Sequence, residues 1–213
     1  MSFEKICEDN DILVINKPAG INSDDFPLRV HRLDKDTSGV LLIAKNESTL
    51  SDLQKQFKER KVKKKYIALI IGHLKDKLGT IETFIGRAPK NRLRQKIYIS
   101  QTPNDKGKRE AKTQYRLLKR FSDYDLIEVV PITGRKHQIR AHMAYINHPV
   151  AGDKVYGFKN QKNPEGLKRQ FLHSNYLKIR VNNKDMDFEA KLPEELTIVL
   201  TNIEKNNHEN QRI

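Results

Sequence analysis

Residues 31–39, with the sequence HRLDKDTSG, place a carboxylate, Asp34, beside a basic flank formed by His31 and Arg32. A continuous apolar run, 40–44, follows at once and predicts a buried strand that braces the preceding turn. A carboxylate that attacks a substrate or removes a proton must be ionised, and a nearby cation favours that form. Asp34 is therefore a candidate catalytic carboxylate, and the alternative is a carboxylate that only caps amides of its own turn.

A second basic cluster, residues 133–140, joins the end of a predicted strand to the start of a predicted helix. Helix N-termini favour anions, and Gly134 allows a close approach of the backbone. Arg140 lies beside the apolar stripe of this helix, so it is a candidate partner for an anion or part of a solvated basic face. His142 lies on the stripe and is expected in the core. The role of His137 stays open between the basic face and the core.

Two other segments are rich in Lys and Arg. The run from residue 55 to residue 65 contains seven basic residues and one acid, Glu59, and Tyr66 follows it. Tyr66 is either a core aromatic or a side chain that stacks on a nucleobase beside a cationic surface. The second segment suits phosphate contacts, which set affinity without reading sequence; its basic residues are Arg87, Lys90, Arg92, Arg94 and Lys96.

The composition favours a polyanionic partner. The chain has 213 residues, with 41 Lys and Arg against 27 Asp and Glu, and its formal net charge is +14. Such an excess suits nucleic acid or an anionic membrane surface, and nucleic acid is the preferred partner because no apolar stretch is long enough to span a bilayer. Cys7 is the only cysteine, so a disulfide framework or a thiolate zinc site within one chain is excluded. We expect a cytoplasmic protein.

The periodicity of apolar residues predicts more strands than helices. Strands are expected at residues 12–15, 39–44, 64–71, 80–85, 95–99, 113–118, 124–131, 172–181 and 186–190, and helices at 47–60, at 135–146 and from Pro193 onward. Because neighbouring strands are often consecutive, we expect an α+β fold with a mixed, mostly antiparallel sheet and flanking helices. One domain is expected over residues 1–205, with a frayed tail at 206–213.

Three segments together resemble the RluA-type RNA pseudouridine synthases, in the order of that family. They are residues 31–39, residues 65–68 (KYIA) and residues 134–142 (GRKHQIRAH). Shorter matches, at 16–20 (NKPAG), 148–157, 172–174 (LHS) and 188–190 (FEA), extend the resemblance over nearly the whole chain. The connection between Gly20 and His31 is short for the family, and we expect no separate N-terminal RNA-binding domain. Both departures leave the choice of target open.

The resemblance implies a basic catalytic cleft and the isomerisation of chosen uridines in structured RNA, either rRNA or tRNA, to pseudouridine. Asp34 would be the essential aspartate, Arg140 its ion-pair partner and Tyr66 the side chain packed against the target base. Arg32 would help to fill the gap left by the extruded nucleotide, and the loop 87–96 would close on RNA. The expected contacts to RNA are His31, Arg32, Lys63, Lys64, Lys65, Arg87, Arg92, Arg94, Arg135 and His137.

The implied reaction needs no cofactor and no metal, because it involves neither redox change nor net hydrolysis, and a monomer is expected. Two rival functions fit part of the sequence. A non-catalytic RNA-binding or ribosome-assembly protein would explain the charge but does not require Asp34, Tyr66 and Arg140 together. A metal-dependent nuclease that uses His31, Asp34 and Asp36 would need several acids around one ion, and the basic neighbours argue against it.

Overall fold

The computed structural model describes residues 3–89, 91–99 and 107–210. Its strands are β1 (Glu4–Glu8), β2 (Ile12–Lys17), β3 (Ser38–Ala44), β4 (Lys63–Ile71), β5 (Leu78–Ala88), β6 (Asn91–Tyr98), β7 (Arg109–Arg120), β8 (Tyr124–Pro131), β9 (Leu172–Val181) and β10 (Lys184–Glu189). Its α-helices are α1 (Glu47–Lys58), α2 (Gln138–Tyr145) and α3 (Glu194–Asn210), and a short 3₁₀ turn covers Ser23–Asp25.

The chain divides into two compact units. The first unit comprises Met1–Tyr66 and Leu172–Pro193, and the second comprises Ile67–Phe171 and Glu194–Ile213. The single catalytic domain expected over residues 1–205 stays a prediction.

In the first unit, β2 pairs antiparallel with both β1 and β3, and β10 pairs antiparallel with β9. The pair between β3 and β9 is parallel, with Ser38 opposite His173 and Gly39 opposite Ser174. This pair makes the sheet mixed, as expected, while the antiparallel pairs dominate. It also brings a late segment of the chain against the residues that follow Asp34.

The core of the first unit follows from the two-residue period of strands β2 and β3. Every residue of β3 is buried. Val40 and Leu42 join one apolar cluster, whereas Leu41 and Ile43 join another, as the alternation of side chains across a strand requires. Helix α1 places Leu53 in the larger cluster, and Asn46 begins the helix because its side chain accepts a hydrogen bond from the Thr49 amide at 2.8 Å.

In the second unit, the strand order is β4-β8-β7-β5-β6, and β4 contributes Ile67–Ile71. The pairs β7–β8, β5–β7 and β5–β6 are antiparallel. Helix α2 buries Ile139 and Met143, and helix α3 buries Leu196, Val199 and Ile203. These inward positions confirm the apolar stripes that the sequence predicts for both helices.

Several boundaries differ from the sequence-based expectation. Helix α2 begins at Gln138 rather than Arg135, because His137 adopts a left-handed conformation (φ 54°) that is incompatible with a helix. The basic loop expected between two strands is mostly strand, since β5 and β6 extend to Ala88 and from Asn91. Strand β1 is polar enough to lack a clear pattern in the sequence. The backbone of residues 206–210 is helical, and the rest of the expected tail lies outside the described residues.

Candidate active site

Asp34 lies in a tight turn at the start of β3. The Thr37 amide donates a hydrogen bond to the Asp34 carbonyl at 3.0 Å, and the Asp34 residue is partly buried. Thr37 and Ser38 are buried beneath it, while Arg32 is exposed. The turn therefore fixes the backbone of Asp34 and leaves its side chain within reach of a ligand.

Lys17 anchors this turn from inside the first unit. Its side chain is fully buried, and Nζ donates hydrogen bonds to the carbonyls of Pro18 (2.8 Å), Ile21 (2.9 Å) and Lys35 (3.1 Å). The Gly20 amide also donates to the Lys35 carbonyl, at 2.9 Å. A buried ammonium is tolerated when its donors meet acceptors, and here the acceptors belong to the two turns that it joins.

Strand β9 supports the same turn from the other side. Ser38 Oγ lies 2.9 Å from His173 Nδ1, and His173 Nε2 lies 3.0 Å from the Ala190 carbonyl. Because the carbonyl can only accept, His173 carries its proton on Nε2 and accepts from Ser38. Gly39 (φ 119°) lies so close to β9 that a Cβ atom would be 2.1 Å from the Ser174 carbonyl oxygen.

Tyr66 lies in the first unit, within electrostatic reach of Asp34. The residue is 9% exposed, and its hydroxyl forms a hydrogen bond with Ser174. Burial raises the pKa of Tyr66 to about 12; the Ser174 hydrogen bond opposes this shift, and the negative charge of Asp34 adds to it. Tyr66 is therefore a protonated phenol at neutral pH, and the structure brings it together with Asp34.

His31 has a partly buried ring that makes structural contacts. Its Nε2 accepts a hydrogen bond from the Leu42 amide at 3.1 Å, and the ring stacks on Phe57 with 4.9 Å between centroids. Burial, together with the charge of Lys64, lowers the pKa of His31 to about 3. A neutral imidazole with one nitrogen engaged in this way braces the Asp34 segment, and its expected contact with RNA stays a prediction.

The three lysines at the start of β4 differ in their surroundings. Lys63 is exposed, whereas Lys64 and Lys65 are partly buried. Lys64 Nζ lies 5.7 Å from the Phe57 ring centroid, and burial lowers the pKa of Lys64 to about 8. Lys65 Nζ lies 5.5 Å from the Tyr176 ring centroid. Lys63 is thus the most accessible of these three lysines for an anionic partner.

In the second unit, Arg140 forms a buried ion pair with Asp153. Arg140 Nε donates to Asp153 Oδ2 at 2.6 Å, and Nη2 donates to Oδ1 at 2.9 Å. The two side chains are 6% and 0% exposed, respectively. Asp153 Oδ1 also accepts from the amides of Val155 and Tyr156. Burial would raise the pKa of Asp153, but the hydrogen bonds and charge of Arg140 outweigh this effect and lower it.

Tyr156 is packed against the same arginine. The centroid of its ring lies 5.3 Å from Arg140 Cζ and 5.1 Å from Arg94 Cζ. Its hydroxyl accepts a hydrogen bond from the Gln95 amide at 2.7 Å and lies 3.1 Å from His137 Nδ1. The structure therefore brings together three predicted site residues, Arg94, His137 and Arg140, around a tyrosine that the sequence did not single out.

A buried polar network holds α2 in the second unit. His142 is fully buried, with Nε2 2.9 Å from Thr83 Oγ1 and Nδ1 2.8 Å from Thr113 Oγ1. Gln138 donates to Thr113 Oγ1 at 2.9 Å and accepts from Thr133 Oγ1 at 2.6 Å. His142 is thus a core histidine with both nitrogens hydrogen-bonded, as its place on the apolar stripe predicts.

The remaining basic residues of the hairpin β5–β6 are exposed where they are described. Arg87 and Arg94 are exposed, whereas Lys90 and the side chain of Arg92 lie outside the described residues. Arg135 is partly buried because its Nε donates to the Glu110 carbonyl at 2.8 Å. Arg87 and Arg94 are therefore the described hairpin arginines that face solvent.

Sequence reasoning missed the residues that hold the site in place. Lys17, His173, Asp153 and Tyr156 all occurred in segments that carried the family resemblance, yet none has a spacing that indicates its partner. Asp153 offered one signal, because an Asp two and three residues before Val155 and Tyr156 can accept from their amides. Its pairing with Arg140 depends on tertiary structure and could not be read from the chain.

Two properties of the described residues bear on the class of ligand. No group of three or more His, Cys, Asp or Glu side chains within the described ranges could hold a metal ion. In the same part of the chain, no helix is both long and apolar enough to cross a membrane.

A partly buried carboxylate beside a buried phenol, on an α+β fold with strong positive charge, suits an enzyme whose substrate is a polyanion. Residues 23–145 match the family model described as RNA pseudouridylate synthase. This match spans more than half of the chain, so the protein belongs to the RNA pseudouridylate synthase family. It is an RNA isomerase by class, and the resemblance found in the sequence motifs is confirmed.

Individual relatives agree with this assignment. The ribosomal large subunit pseudouridine synthase D of Borreliella burgdorferi is 40% identical over 96% of this chain and 70% of its own length. The ribosomal large subunit pseudouridine synthase C of Vibrio parahaemolyticus is 35% identical over 95% of this chain and 70% of its own. Among solved structures, human RNA pseudouridylate synthase domain containing 1 matches with a TM-score of 0.79 and 28% identity, over 90% of this chain and 84% of that chain.

Proposed function

We propose that this RNA pseudouridine synthase uses Asp34 to isomerise specific uridines in structured RNA, and that ribosomal RNA is its substrate. The names of the two bacterial relatives support ribosomal RNA, and tRNA remains the alternative substrate. The observation that carries the proposal is the match of residues 23–145, which include Asp34, Tyr66 and Arg140, to the RNA pseudouridylate synthase family model.

The reaction breaks the bond between ribose C1′ and base N1 and forms a bond between C1′ and base C5. Asp34 acts as an ionised nucleophile on the sugar or the base, or as a base that removes a ribose proton. Arg140 is the proposed ion-pair partner that keeps Asp34 ionised and oriented. Asp153 supports this role because it fixes two guanidinium donors and therefore the plane of the Arg140 side chain.

Tyr66 packs against the uracil once the nucleotide has left its stack. Extrusion costs a few kcal/mol, and stacking on an aromatic ring returns about 1–3 kcal/mol. A phenol with a pKa of about 12 is a poor base at neutral pH. We therefore assign Tyr66 to holding the base while it turns, rather than to direct removal of the C5 proton.

The RNA contacts are proposed for the exposed cations on each unit. Arg32 and Lys63 serve on the first unit, and Arg87 and Arg94 on the second, because each is exposed and can meet a phosphate. The other predicted contacts (His31, Lys64, Lys65, Arg92, Arg135 and His137) stay predictions. We also propose that the enzyme acts as a cytoplasmic monomer without a metal or cofactor.

The test compares Asp34→Asn with Asp36→Asn, an exposed acid in the same turn. Release of tritium from uridine C5 in a ribosomal RNA fragment measures turnover. We expect Asp34→Asn to reduce turnover by at least about 10³-fold, as the loss of a reacting group does, with RNA affinity nearly unchanged. Asp36→Asn should keep wild-type turnover. Wild-type turnover in Asp34→Asn would refute the assignment, and wild-type protein that binds the RNA but forms no pseudouridine would favour the non-catalytic rival.

A further inference from the structure

Tyr156 contacts two elements of the second unit that have separate proposed roles. It is 4% exposed and lies in the turn that follows Asp153, whose Oδ1 accepts from the Tyr156 amide at 3.0 Å. One set of contacts comes from Arg94 and Gln95 on β6. The other comes from His137 and Arg140 at the start of α2. A buried side chain shared in this way responds when either element moves.

The hydroxyl of Tyr156 links the hairpin to the helix. It accepts from the Gln95 amide at 2.7 Å, and it lies within hydrogen-bond distance of His137 Nδ1, at 3.1 Å. His137 is the left-handed residue on which α2 begins, two residues before Ile139 enters the core. The position of β6 is therefore tied, through one hydroxyl, to the first turn of the helix that carries Arg140.

The ring of Tyr156 is shared by two like charges. Arg94 and Arg140 both place their guanidinium groups about 5 Å from its centroid. Each is attracted by the ring, and each repels the other. A hollow of about 340 Å³ beside Tyr156 is lined mainly by apolar side chains of β6 and α2, and Arg94 and Lys96 also line it, so these two cations can meet an RNA phosphate there. A phosphate on Arg94 would weaken the repulsion between the two guanidinium groups, which Asp153 already offsets at Arg140.

We propose that Tyr156 is a positioning residue that couples RNA bound on the β5–β6 hairpin to the orientation of the Arg140 guanidinium. The inference rests on the proposed function, in which the hairpin binds RNA and Arg140 serves Asp34. It adds a physical route between them, made of one hydroxyl and one aromatic ring. Bound RNA then improves the reacting geometry as well as the affinity, and the enzyme is less active on RNA that does not engage the hairpin.

The first test is Tyr156→Phe, which removes the two hydroxyl contacts and keeps the ring. Tyr98→Phe is the matched control, because Tyr98 lies on the same hairpin with Lys96 and Lys108 over its ring. At saturating RNA we expect the single-turnover rate of Tyr156→Phe to fall about tenfold, since small displacements of a positioned group cost up to 10²-fold in rate. Its RNA dissociation constant should change less than about twofold, because one neutral hydroxyl contributes little to phosphate binding.

A second measurement does not depend on activity. The Nε resonance of Arg140, identified with Arg140→Lys, should shift when RNA is added to the wild type. The shift should be much smaller in Tyr156→Phe and in Arg94→Met, which breaks the route at its other end. If wild type and both variants show the same shift, the coupling is refuted, even if the enzyme is active. If wild-type protein shows the shift but makes no pseudouridine, the proposed function fails and the coupling stands.

The single-turnover rates of the double variant complete the test. Because Arg94 acts through the ring of Tyr156, the loss in Arg94→Met combined with Tyr156→Leu, which removes that ring, should be smaller than the product of the two single losses. Independent losses, or equal rates for Tyr156→Phe and Tyr98→Phe, would reduce Tyr156 to a packing residue. Thermal melts of each variant identify any general loss of folding. If Tyr156→Phe does not fold, the RNA-induced shift of the Arg140 resonance in Arg94→Met decides whether the coupling exists.

Discussion

The two units hold their candidate catalytic groups in different ways. In the first unit, the described contacts around Asp34 join side chains to uncharged groups: the Lys17 ammonium binds backbone carbonyls, His31 binds the Leu42 amide, and His173 binds Ser38. In the second unit, Arg140 is fixed by a charged partner, Asp153, that is fully buried. The difference follows from what each group must do. A reacting carboxylate needs a support that leaves its oxygens and its charge available. A guanidinium has enough N–H donors to use two of them in hydrogen bonds to an anchoring carboxylate.

The difference also determines which substitutions destabilise each unit most. Removal of one member of a buried ion pair leaves a charge without compensation and typically costs several kcal/mol. Removal of a neutral hydrogen-bond partner leaves an unsatisfied polar group and costs less. The second unit should therefore be more sensitive to a single substitution at its anchor, and the first more sensitive to changes in backbone geometry.

The largest effect is expected for Asp153→Asn. It leaves the Arg140 guanidinium buried without its carboxylate, so the free energy of unfolding should fall by roughly 3–5 kcal/mol and turnover should be lost. Asp125→Asn is the matched control, because Asp125 is also fully buried and pairs with Arg120, which is 46% exposed. Water can compensate an exposed guanidinium, so its loss of stability should be about half or less. Urea denaturation measures both, and equal losses would contradict the comparison.

The next effect is expected for Gly39→Ala. The left-handed backbone costs an alanine roughly 1–2 kcal/mol, and its Cβ would overlap the Ser174 carbonyl. Overpacking of this kind adds about 1–3 kcal/mol and would push β3 away from β9. Gly20→Ala has the same backbone penalty (φ 87°) without a neighbour within 4 Å. Equal unfolding free energies for the two variants would show that contact with β9 is unimportant.

A smaller effect, with a dependence on pH, is expected for His31→Phe. Phenylalanine keeps the stack on Phe57 but leaves the Leu42 amide without its acceptor, at a cost of about 1–3 kcal/mol. The folded-state pKa values of His31 (about 3) and His142 (about 4) lie below the ordinary value of 6.5. As pH falls below 6.5, the unfolded chain therefore binds protons that the folded chain does not, and stability decreases.

This decrease should be shallower in His31→Phe, because one of the two histidines is gone, and it should not vanish, because His142 remains. Guanidinium denaturation at several pH values between 4 and 7 measures the slope. A variant with the wild-type slope would show that His31 is not held neutral in the folded protein.

The smallest effect on folding is expected for the replacement of Lys63, Lys64 and Lys65 by glutamine. RNA binding should weaken and its dependence on salt should become shallower, by about 1.5 in the logarithmic slope if two of the lysines contact phosphates. The control replaces Lys159, Lys162 and Lys168, exposed lysines of the second unit, which changes the net charge equally. Slopes that match between the two triple variants would argue against a specific role for the β4 lysines.

The sequence was sufficient for the elements whose patterns are local. Strand β9 matches its predicted bounds, and the helix expected at residues 47–60 is α1, which ends two residues earlier. The sequence pattern predicted the wrong bounds where one residue overrides it. At His137, a positive φ shortens α2. The pattern also failed for β1, because a polar edge strand has no alternation to detect.

The site was predictable only in part for the same reason. Asp34 stood out because its neighbours in the chain are unusual, and the structure places Tyr66 beside it. The anchors could not be found in this way. Lys17 binds carbonyls on both sides of a turn, and His173 meets Ser38 across 135 positions of the chain. Such partners are chosen by the folded backbone, so no spacing in the sequence reveals them.

The separation between Ser38 and His173 has a consequence for biosynthesis. The first unit needs residues 172–193 to complete its sheet, yet the ribosome makes the whole of residues 67–171 before them. Strands β1, β2 and β3 must wait with an open edge while that stretch emerges, and long-range pairings of this kind form slowly. Nascent chains that stall before residue 172 should therefore expose an unpaired, apolar strand edge, which is a target for chaperones and a site for aggregation.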